Sequence, residues 1–430
     1  MLGDFNANYY VFPYEVDPYI VIVIKGKFPY ARYMSFTLAG QLDNVITTAP
    51  DKALIPDPGS TNPFLPCADW NANNRNYTIK IRSTPPPKGS EHFVPEAGNN
   101  TFYAGTLKDG TPNKWGLIGL RIYVPSIGYD KTGGVGLPKI TYCAAKNNCN
   151  TTRISGTVNK STQPDNSLNQ VDAFRKRTSF QHCSDMVKQN CDLIWNRIGV
   201  IATRILQPDL NTVYTLSNQI ERDPRKLLFI RWKAPTFPDT YHNIGILRNT
   251  DMRYWSMSFI TQVGLLSLYT ISDFQTVMDK NGYVNLVISF GASRPSCVTT
   301  ENGFNWIDAS KLPLVPLTLF YRNNQVSQGF HYTAKNVPEG QIVPPKVMGE
   351  YYPCGKYVDP IYFNSCYHNC NNKPEKINNI LSLNIKWVEN IVLNPDVSYK
   401  YLYIYIFSYI PIKTCSYFHR LIFLYLNINL

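Results

Sequence analysis

The sequence predicts a mostly β protein built from two tandem, internally duplicated β-sandwich domains of jelly-roll-like form, with a few short helices. Three observations carry the prediction: a composition rich in tyrosine and proline, short alternating segments bounded by turn residues, and blocks of sequence that recur in the second half. Tyrosine suits the half-buried face of a sheet and proline interrupts helices. A chain with 30 tyrosines and 31 prolines therefore favours short strands.

The length of the chain predicts more than one domain. A chain of 430 residues is long for one hydrophobic core, because single cores stop growing near about 250–300 residues. We predict a first sandwich at residues 1–160, a partly helical linker at 161–204, a second sandwich at 205–375 and an atypical apolar tail at 376–430. The tail has the composition of translated non-coding sequence, and a hydrophobic anchor is the alternative, although its apolar runs fall short of the ~20 residues of a membrane helix.

The duplication consists of six short blocks that occur in the same order in both halves. Internal repeats of this kind indicate that one structural unit was copied. The paired blocks are Asp4–Tyr9 with Asp209–Tyr214, Ile24–Pro29 with Ile230–Pro235, Arg32–Phe36 with Arg253–Met257, Asn76–Thr78 with Gly282–Val284, Glu96–Gly105 with Glu301–Ser310, and Leu120–Tyr123 with Leu319–Arg322.

The strands are predicted from alternation and from β-branched runs. Tyr19–Lys25 is β-branched and ends at a glycine, and Tyr77–Arg82 places an apolar side chain at every second position. Segments 117–124 and 314–321 are predicted as further strands. Because proline cannot donate to a ladder, Pro316 predicts that the last of these lies at a sheet edge.

Helices are predicted in two places. Segment 171–197 is expected to hold one or two linker helices, and segment 271–280 a short helix that begins near Ser272, a residue suited to the N-cap. Such sparse helix leaves the class mostly β.

The positive charge of the chain, a formal net +12, favours solubility and attraction to acidic surfaces. The tight basic cluster Arg175–Arg177 lies in a polar connecting segment, and no lysine or arginine stripe alternates with aromatic residues. This pattern argues against nucleic acid as a partner. Carbohydrate, in particular an acidic polysaccharide, or an anionic cell surface would fit the same charge, and membrane association is expected only through the tail.

The cysteines and glycosylation motifs predict an oxidising, extracellular setting. Three close sets of cysteines occur in loop-like sequence, which favours disulfides, although their connectivity stays open. The disulfide candidates are Cys143, Cys149, Cys183, Cys191, Cys354, Cys366 and Cys370. The N-glycosylation candidates are Asn76, Asn99, Asn150 and Asn159. The first residues contain no basic-then-apolar leader, so we expect a secreted protein whose signal peptide is missing from this sequence.

The chain resembles a family of uncharacterised, mostly bacterial, secreted proteins with two tandem jelly-roll-like domains. The resemblance covers about residues 4–360 and implies the fold and an extracytoplasmic setting, but it brings no activity and no catalytic residues. It rests on Phe28–Phe36, Pro56–Phe64, Arg121–Pro125 and Thr132–Pro138 in the first half, and on Arg253–Ser256 and Met348–Pro353 in the second.

The motifs of common enzyme chemistry are missing from the sequence. No Gly-x-Ser-x-Gly elbow occurs, and the glycine-rich segment Thr132–Gly136 lacks the lysine of a phosphate loop, so it is predicted as a turn. The six histidines show no metal spacing. A zinc site of Cys354, Cys366, His368 and Cys370 is the alternative to disulfides there, and disulfides are favoured. We predict no metal and no cofactor.

Three aspartates, Asp57, Asp130 and Asp308, lie in turn-like sequence near the repeated blocks. Paired carboxylates are the usual machinery of glycosidases, but a turn alone explains Asp57.

Two arginines at matching places in the repeat, Arg32 and Arg253, are the most distinctive candidates for binding. A guanidinium beside aromatic rings can recognise a carboxylate or a sugar, and the alternative is a structural arginine that ties a loop. The candidate binding residues are Arg32, Tyr33, Arg253, Tyr254, Trp255 and Asp57. Catalytic residues stay unknown.

The function expected from these features is that of a secreted or surface-associated binding or structural protein, recognising carbohydrate or cell-envelope material. One alternative is a hydrolase or lyase that acts on polysaccharide through acidic residues. Another is a self-assembling coat protein, by analogy of fold alone.

Overall fold

The structure is a computed structural model that describes residues 3–41, 44–145, 191–199, 208–246, 250–262 and 266–366. Strands dominate this part of the chain and helices are short, which confirms the predicted mostly β class. The strands form four sheets, two in each half. The tail at 376–430 and most of the predicted linker lie outside the described residues.

The described part of the first half forms two sheets. Their orders are β1-β8-β3-β4 and β6-β7-β5-β2-β9, with β5 and β7 parallel and the other pairs antiparallel. The strands are β1 (Ala7–Glu15), β2 (Ile20–Lys27), β3 (Ala31–Ala39), β4 (Val45–Pro50), β5 (Asn76–Arg82), β6 (Phe93–Val94), β7 (Asn100–Tyr103), β8 (Trp115–Pro125) and β9 (Lys139–Ala144).

The described part of the second half forms two sheets of the orders β10-β11-β17-β13-β14 and β16-β15-β12-β18. Its parallel pair is β15 with β16. The strands are β10 (Trp195–Ile198), β11 (Thr212–Ser217), β12 (Leu227–Lys233), β13 (Tyr254–Thr261), β14 (Ser267–Ser272), β15 (Tyr283–Ser289), β16 (Phe304–Asp308), β17 (Leu317–Asn324) and β18 (Cys354–Val358), and the helices are α1 (Pro345–Met348) and α2 (Ile361–Cys366).

The two halves share one topology. Strands β1 to β5 occupy the same places in their sheets as β11 to β15, and β7, β8 and β9 the same places as β16, β17 and β18. The parallel pair recurs at the same position. The predicted duplication is therefore confirmed strand for strand, with β6 and β10 added at sheet edges.

The strand β3 shows why the sequence forms a layered structure. Its even-numbered residues Met34, Phe36 and Leu38 are buried in the core of the first sandwich, and since alternate side chains point to opposite faces of a sheet, Ser35 and Thr37 point away from that core. All nine residues of β3 are nonetheless buried, and so are all eight of β13. Strands β3 and β13 thus each turn an apolar side into their own sandwich and a covered polar side away from it.

Each half has a hydrophobic core of its own. In the first, the rings of Phe28 and Phe36 both contact that of Tyr77, and the second contains Trp232 and Trp255 with ring centroids 5.7 Å apart. Fully burying one such side chain stabilises the fold by roughly 1.5–3 kcal/mol. Two separate cores explain why each copy of the repeat retains its own pattern of apolar residues.

Three sequence-based predictions are corrected by the strand pairing. Strand β17 begins after Pro316 and lies at the centre of its sheet, because the proline precedes the ladder and so interrupts no pair. Trp195–Ile198 is strand β10 rather than helix, paired with β11. The segment predicted as a helix at 271–280 contains a single 3-10 turn, Asp273–Gln275, capped by Ser272 as expected.

The register also corrects two of the repeat alignments. Arg121 lies opposite Tyr9 on β1, and Arg322 lies opposite the equivalent Tyr214 on β11. Arg121 therefore corresponds to Arg322, rather than to Phe320 as the sequence blocks paired them. Likewise, the block 76–78 corresponds to 283–285, one residue later than predicted, because Asn285 faces Arg231 as Thr78 faces Lys25.

A disulfide joins Cys191 to Cys354 across a sequence separation of 163 residues. The sequence grouped these two cysteines with different near neighbours and left the connectivity open, and this bond is long-range. A disulfide-bonded Cys354 cannot supply a thiolate to zinc, so this disulfide is incompatible with the alternative zinc site that included Cys354. Cys143 and Cys297 are also disulfide-bonded. Cys149, Cys183, Cys370 and the sequons at Asn150 and Asn159 lie outside the described residues.

The helices of the described residues are all too short or too polar to cross a bilayer.

Candidate functional site

The two arginines singled out in the sequence lie in the contact between the halves. Arg32 donates to Asp273 Oδ2 at 2.7 Å and to Thr240 Oγ1 at 2.9 Å, and both members of the ion pair are 0% exposed. Arg253, the equivalent residue of the second half, lies 3.6 Å from Asp51 and donates to the carbonyl of Phe64 at 3.0 Å. Each half therefore supplies one arginine to an acid of the other half.

Two further aspartates are exchanged between the halves. Asp4 accepts hydrogen bonds from Tyr254 at 2.9 Å and from Ser256 at 2.5 Å. Asp209 accepts them from Tyr33 at 2.6 Å and Ser35 at 3.1 Å, residues of the other half. The pattern has pseudo-twofold symmetry, because each aspartate precedes the first repeated strand of its own half and reaches the third strand of the other.

The burial of this contact shifts the pKa values of its groups. Burial raises the pKa of Tyr33 well above its usual value, and the charges of Asp209 and Asp51 add to the effect. Burial does the same for Tyr254, with Asp4 and Asp273 as the neighbouring charges. Both phenols consequently stay protonated and can donate to the aspartates.

The pKa values of the acids in the two ion pairs, Asp273 and Asp51, are both raised. Burial raises the pKa of Asp273 to about 6, opposed by Arg32, and it also raises the pKa of Asp51, opposed by Arg253.

The aromatic candidates face the interior. Trp255 is 0% exposed in the second core and donates its indole N–H to the carbonyl of Pro235 at 3.3 Å. Arg32, Tyr33 and Tyr254 are each 0% exposed, and Arg253 is 8% exposed. These five residues present no surface on which a sugar ring could stack, so the structural alternative considered for the arginines describes their placement.

The three candidate aspartates are each engaged by a hydrogen bond. Asp57 accepts from Thr78 Oγ1 of strand β5 at 3.0 Å. Asp130 accepts from Thr132 N at 2.9 Å and Asp308 from Ser310 N at 3.0 Å, both within local turns. Hydrogen bonds of this type stabilise turns. The contacts of the described residues do not pair any two of these carboxylates.

Both described sequons have a half-buried asparagine. Asn99 lies in a turn and its amide donates to Glu96 at 2.5 Å, and Asn76 is the first residue of β5. No group of three or more potential metal ligands occurs among the described residues.

An exposed aromatic platform lies in the second half, outside the inter-half contact. Tyr332 is 53% exposed, and its ring stacks on Tyr351 with centroids 5.7 Å apart and planes inclined by 25°. Phe330 supports Tyr351 edge-on at 4.9 Å. We call Phe330, Tyr332 and Tyr351 the second platform.

Charged groups line the rim of the second platform. The ammonium of Lys233 lies 5.8 Å from the ring of Tyr351 and 3.3 Å from the carboxylate of Glu350. Glu350 also accepts a hydrogen bond from the hydroxyl of Tyr283. Burial and the adjacent Glu350 raise the pKa of Tyr283 to about 12, so that this phenol is a donor at neutral pH. A flat apolar face thus adjoins both a donor and an acceptor.

The first half carries another stacked tyrosine pair, whose exposed member follows β8 as Tyr332 follows β17, but whose inner member lies between β2 and β3. Tyr129, 41% exposed, stacks on Tyr30 with centroids 4.6 Å apart and planes inclined by 4°. The side chain of Arg75 is buried, and its guanidinium lies 3.7 Å from the Tyr30 ring centroid. Trp70 contacts Tyr30 edge-on at 5.9 Å. We call Tyr30 and Tyr129 the first platform.

Both exposed tyrosines rest on a glycine with positive φ. A Cβ on Gly134 would overlap the ring of Tyr129, and one on Gly349 would touch Tyr332 at 3.2 Å. Their φ angles, +77° and +55°, favour glycine for a second reason. Both glycines belong to the segments that carry the bacterial resemblance.

The loops that carry the platforms leave the sheets through strained residues. Val124 and Gln325, near the ends of β8 and β17, have φ of 46° and 45°. Their amides donate at 2.8 Å to the carbonyls of Asn6 and Asn211, again equivalent residues. Side chains at positive φ cost of order 1–3 kcal/mol and cluster at functional sites. The strain therefore fixes the direction of both platform loops.

Sequence reasoning missed the platform tyrosines and the acids of the inter-half contact. A signal existed for some of them: Asp4 and Asp209 open the first repeated block, and Gly349–Tyr351 falls in a segment noted for its resemblance. Tyr332 had no such signal, because it lies far from Tyr351 within the connection between β17 and β18 and meets it only in the folded chain.

The comparisons with known proteins concern the overall structure. No family model matches the chain, and no curated protein matches it significantly. A putative uncharacterized protein from Burkholderia cenocepacia is similar with a TM-score of 0.44 at 11% identity, over 84% of this chain and 79% of that one. The VPA0106 protein from Vibrio parahaemolyticus is similar with a TM-score of 0.42 at 12% identity, over 83% of this chain and 90% of that one.

Proposed function

We propose that the protein is a carbohydrate-binding protein, secreted or surface-associated, that holds a saccharide on the second platform. The observation that carries the proposal is the stacked pair Tyr332–Tyr351 with Glu350 and Lys233 at its rim. The C–H face of a sugar ring is apolar and slightly positive, so it fits the negative face of an aromatic ring. Its hydroxyls need donors and acceptors at the edge of that ring, and the rim offers both.

The arrangement is also pre-organised for binding. Tyrosines lose little conformational entropy when they bind, and Phe330 and Gly349 already hold these two rings in place. A rigid site spends less binding free energy on ordering itself.

An extracellular setting is part of the proposal. The disulfide Cys191–Cys354 supports it, because disulfides form and persist mainly in oxidising compartments.

A glycan array with purified wild type, Tyr332→Ala and Trp115→Ala tests the proposal. Trp115 is a matched control, since it is 43% exposed and lies at the start of β8, outside both platforms. Tyrosine anchors in binding sites contribute about 1–2 kcal/mol each, so Tyr332→Ala should weaken binding about tenfold. Trp115→Ala should bind as the wild type does.

Two results would contradict the proposal. One is the absence of binding to any neutral or acidic glycan. The other is binding that Tyr332→Ala leaves unchanged while its thermal unfolding matches that of the wild type.

A further inference from the structure

The outer face of the five-stranded sheet in the first half carries five cations. Ile22 and Ile24 of β2 point into the core, so the alternate residues of β2 face outward. The register places outward residues of β5 and β9 beside them. We call this surface the basic face; its cations are Lys25, Lys27, Lys80, Arg82 and Lys139.

Among the residues that the structure describes, no carboxylate forms an ion pair with any of the five cations of the basic face. Lys25 and Lys139 lie directly opposite each other on adjacent strands and are both exposed. Like charges in that position are destabilising, so the fold tolerates repulsion that a neutral residue would remove.

The second half is an internal control for this observation. Arg231 and Lys233 occupy the places of Lys25 and Lys27, but Arg231 pairs with Asp279 at 2.7 Å and Lys233 with Glu350 at 3.3 Å. Uncharged residues occupy the other three places: Val287, Ser289 and Cys354. In the second half the two cations at these places are paired with acids, whereas in the first half the five cations form no ion pair with any described carboxylate.

We propose that the basic face binds an acidic polysaccharide, one that carries sulfate or carboxylate groups. The inference rests on the proposed function for its ligand class, but it concerns a different surface. Strands lie about 4.8 Å apart and alternate residues about 7 Å apart along a strand, so the cations form a grid that can meet successive charges of an extended polyanion. Thr141, which lies between the cations, adds a hydroxyl group.

The chemistry of the face favours polysaccharide over nucleic acid. Four of the five cations are lysines, which lack the planar fork that gives arginine bidentate phosphate contacts. Binding of single strands depends on bases stacked upon aromatic rings. The residues between the cations are Val23, Thr78 and Thr141, and a single half-buried tyrosine among the described residues of β7, Tyr103, borders the face beside Arg82.

Heparin affinity as a function of salt concentration tests the inference. The variant is Lys25→Gln/Lys139→Gln, and the control, equal in charge, is Lys280→Gln/Lys311→Gln, two exposed lysines of the second half. Removing two ligand-contacting cations should lower the slope of log affinity against log salt by about 2, and should weaken heparin binding at least tenfold near physiological salt. The control should match the wild type. Because Lys25→Gln/Lys139→Gln removes a like-charge pair, its melting temperature should not fall.

Single-stranded DNA, phosphatidylserine vesicles and neutral dextran are the other probes. Tighter binding to DNA or to the vesicles than to heparin would overturn the inference, as would equal heparin affinity in the two double variants. Failure here is separable from failure of the proposed function. Heparin binding that depends on Lys25 and Lys139, without any effect of Tyr332→Ala on glycans, refutes the second platform alone, and the reverse pattern refutes the basic face alone.

Discussion

Replacing Arg32 with methionine should destabilise the protein strongly, because Asp273 would then be a buried charge without a partner. The two side chains are 2.7 Å apart and both are 0% exposed. Breaking a buried pair by removing one partner costs about 3–5 kcal/mol. Arg32 also donates to Thr240, and the loss of that hydrogen bond places the expected cost in the upper part of the range.

The double variant Arg32→Met/Asp273→Asn separates pairing from packing. Once the lone charge is gone, the double variant should be destabilised by about 2–3 kcal/mol less than the sum of the two single variants. The equivalent pair, Arg253 and Asp51, is longer at 3.6 Å, so its coupling should be smaller, about 1 kcal/mol.

Urea unfolding followed by tryptophan fluorescence measures these free energies. The deficit of Arg32→Met should shrink at pH 5, since Asp273 can then take up a proton and become neutral. Additive effects of Arg32→Met and Asp273→Asn, within about 0.5 kcal/mol, would refute the reasoning, because they would mean that the two groups do not interact.

Three further predictions concern stability. Burial raises the pKa of Asp273 to about 6 from 3.8, so the folded state binds this proton more tightly than the unfolded state does. The stability that this group contributes is therefore fully present below about pH 4 and is lost as the pH rises through about 6. Asp273→Asn should lack this dependence in unfolding curves between pH 4 and 7. Val124→Gly should lower the melting temperature, because the loss of a side chain buried against Tyr33, Tyr123 and Tyr254 outweighs the relief of strain at a φ of 46°, and a higher melting temperature would contradict this. Cys191→Ser/Cys354→Ser should lose about 2–4 kcal/mol in urea unfolding; no loss would show that the disulfide does not restrain the unfolded chain.

The sequence was sufficient to predict the repeat and its strand order because strands are local features. Alternation, β-branched runs and turn residues leave their pattern wherever a strand occurs, and two copies repeat it. Arg32 and Arg253 could be recognised as equivalent for the same reason. Their partners could not, because nothing in a single sequence states that Asp273 belongs to Arg32 and Asp51 to Arg253.

The surface features depend on contacts that cross the fold. Tyr332 and Tyr351 lie at distant points of the connection between β17 and β18. The basic face depends on which lysines lack a nearby acid once β2, β5 and β9 pair. The central position of β17 could not be predicted either. Pro316 would exclude a central place only for a strand that contains it, and β17 begins one residue later.

Hydrogen exchange of the Asp209→Asn variant most directly tests the claim that the halves are joined by exchanged acids. Asp209 belongs to the second half, but it accepts from Tyr33 and Ser35 in β3 of the first. We expect exchange in peptides covering β3 to accelerate about tenfold, since an unsatisfied buried group costs about 1–3 kcal/mol. Asp359→Asn, an exposed turn acid of the second half, should leave β3 unchanged. Acceleration confined to the second half in Asp209→Asn would contradict the account.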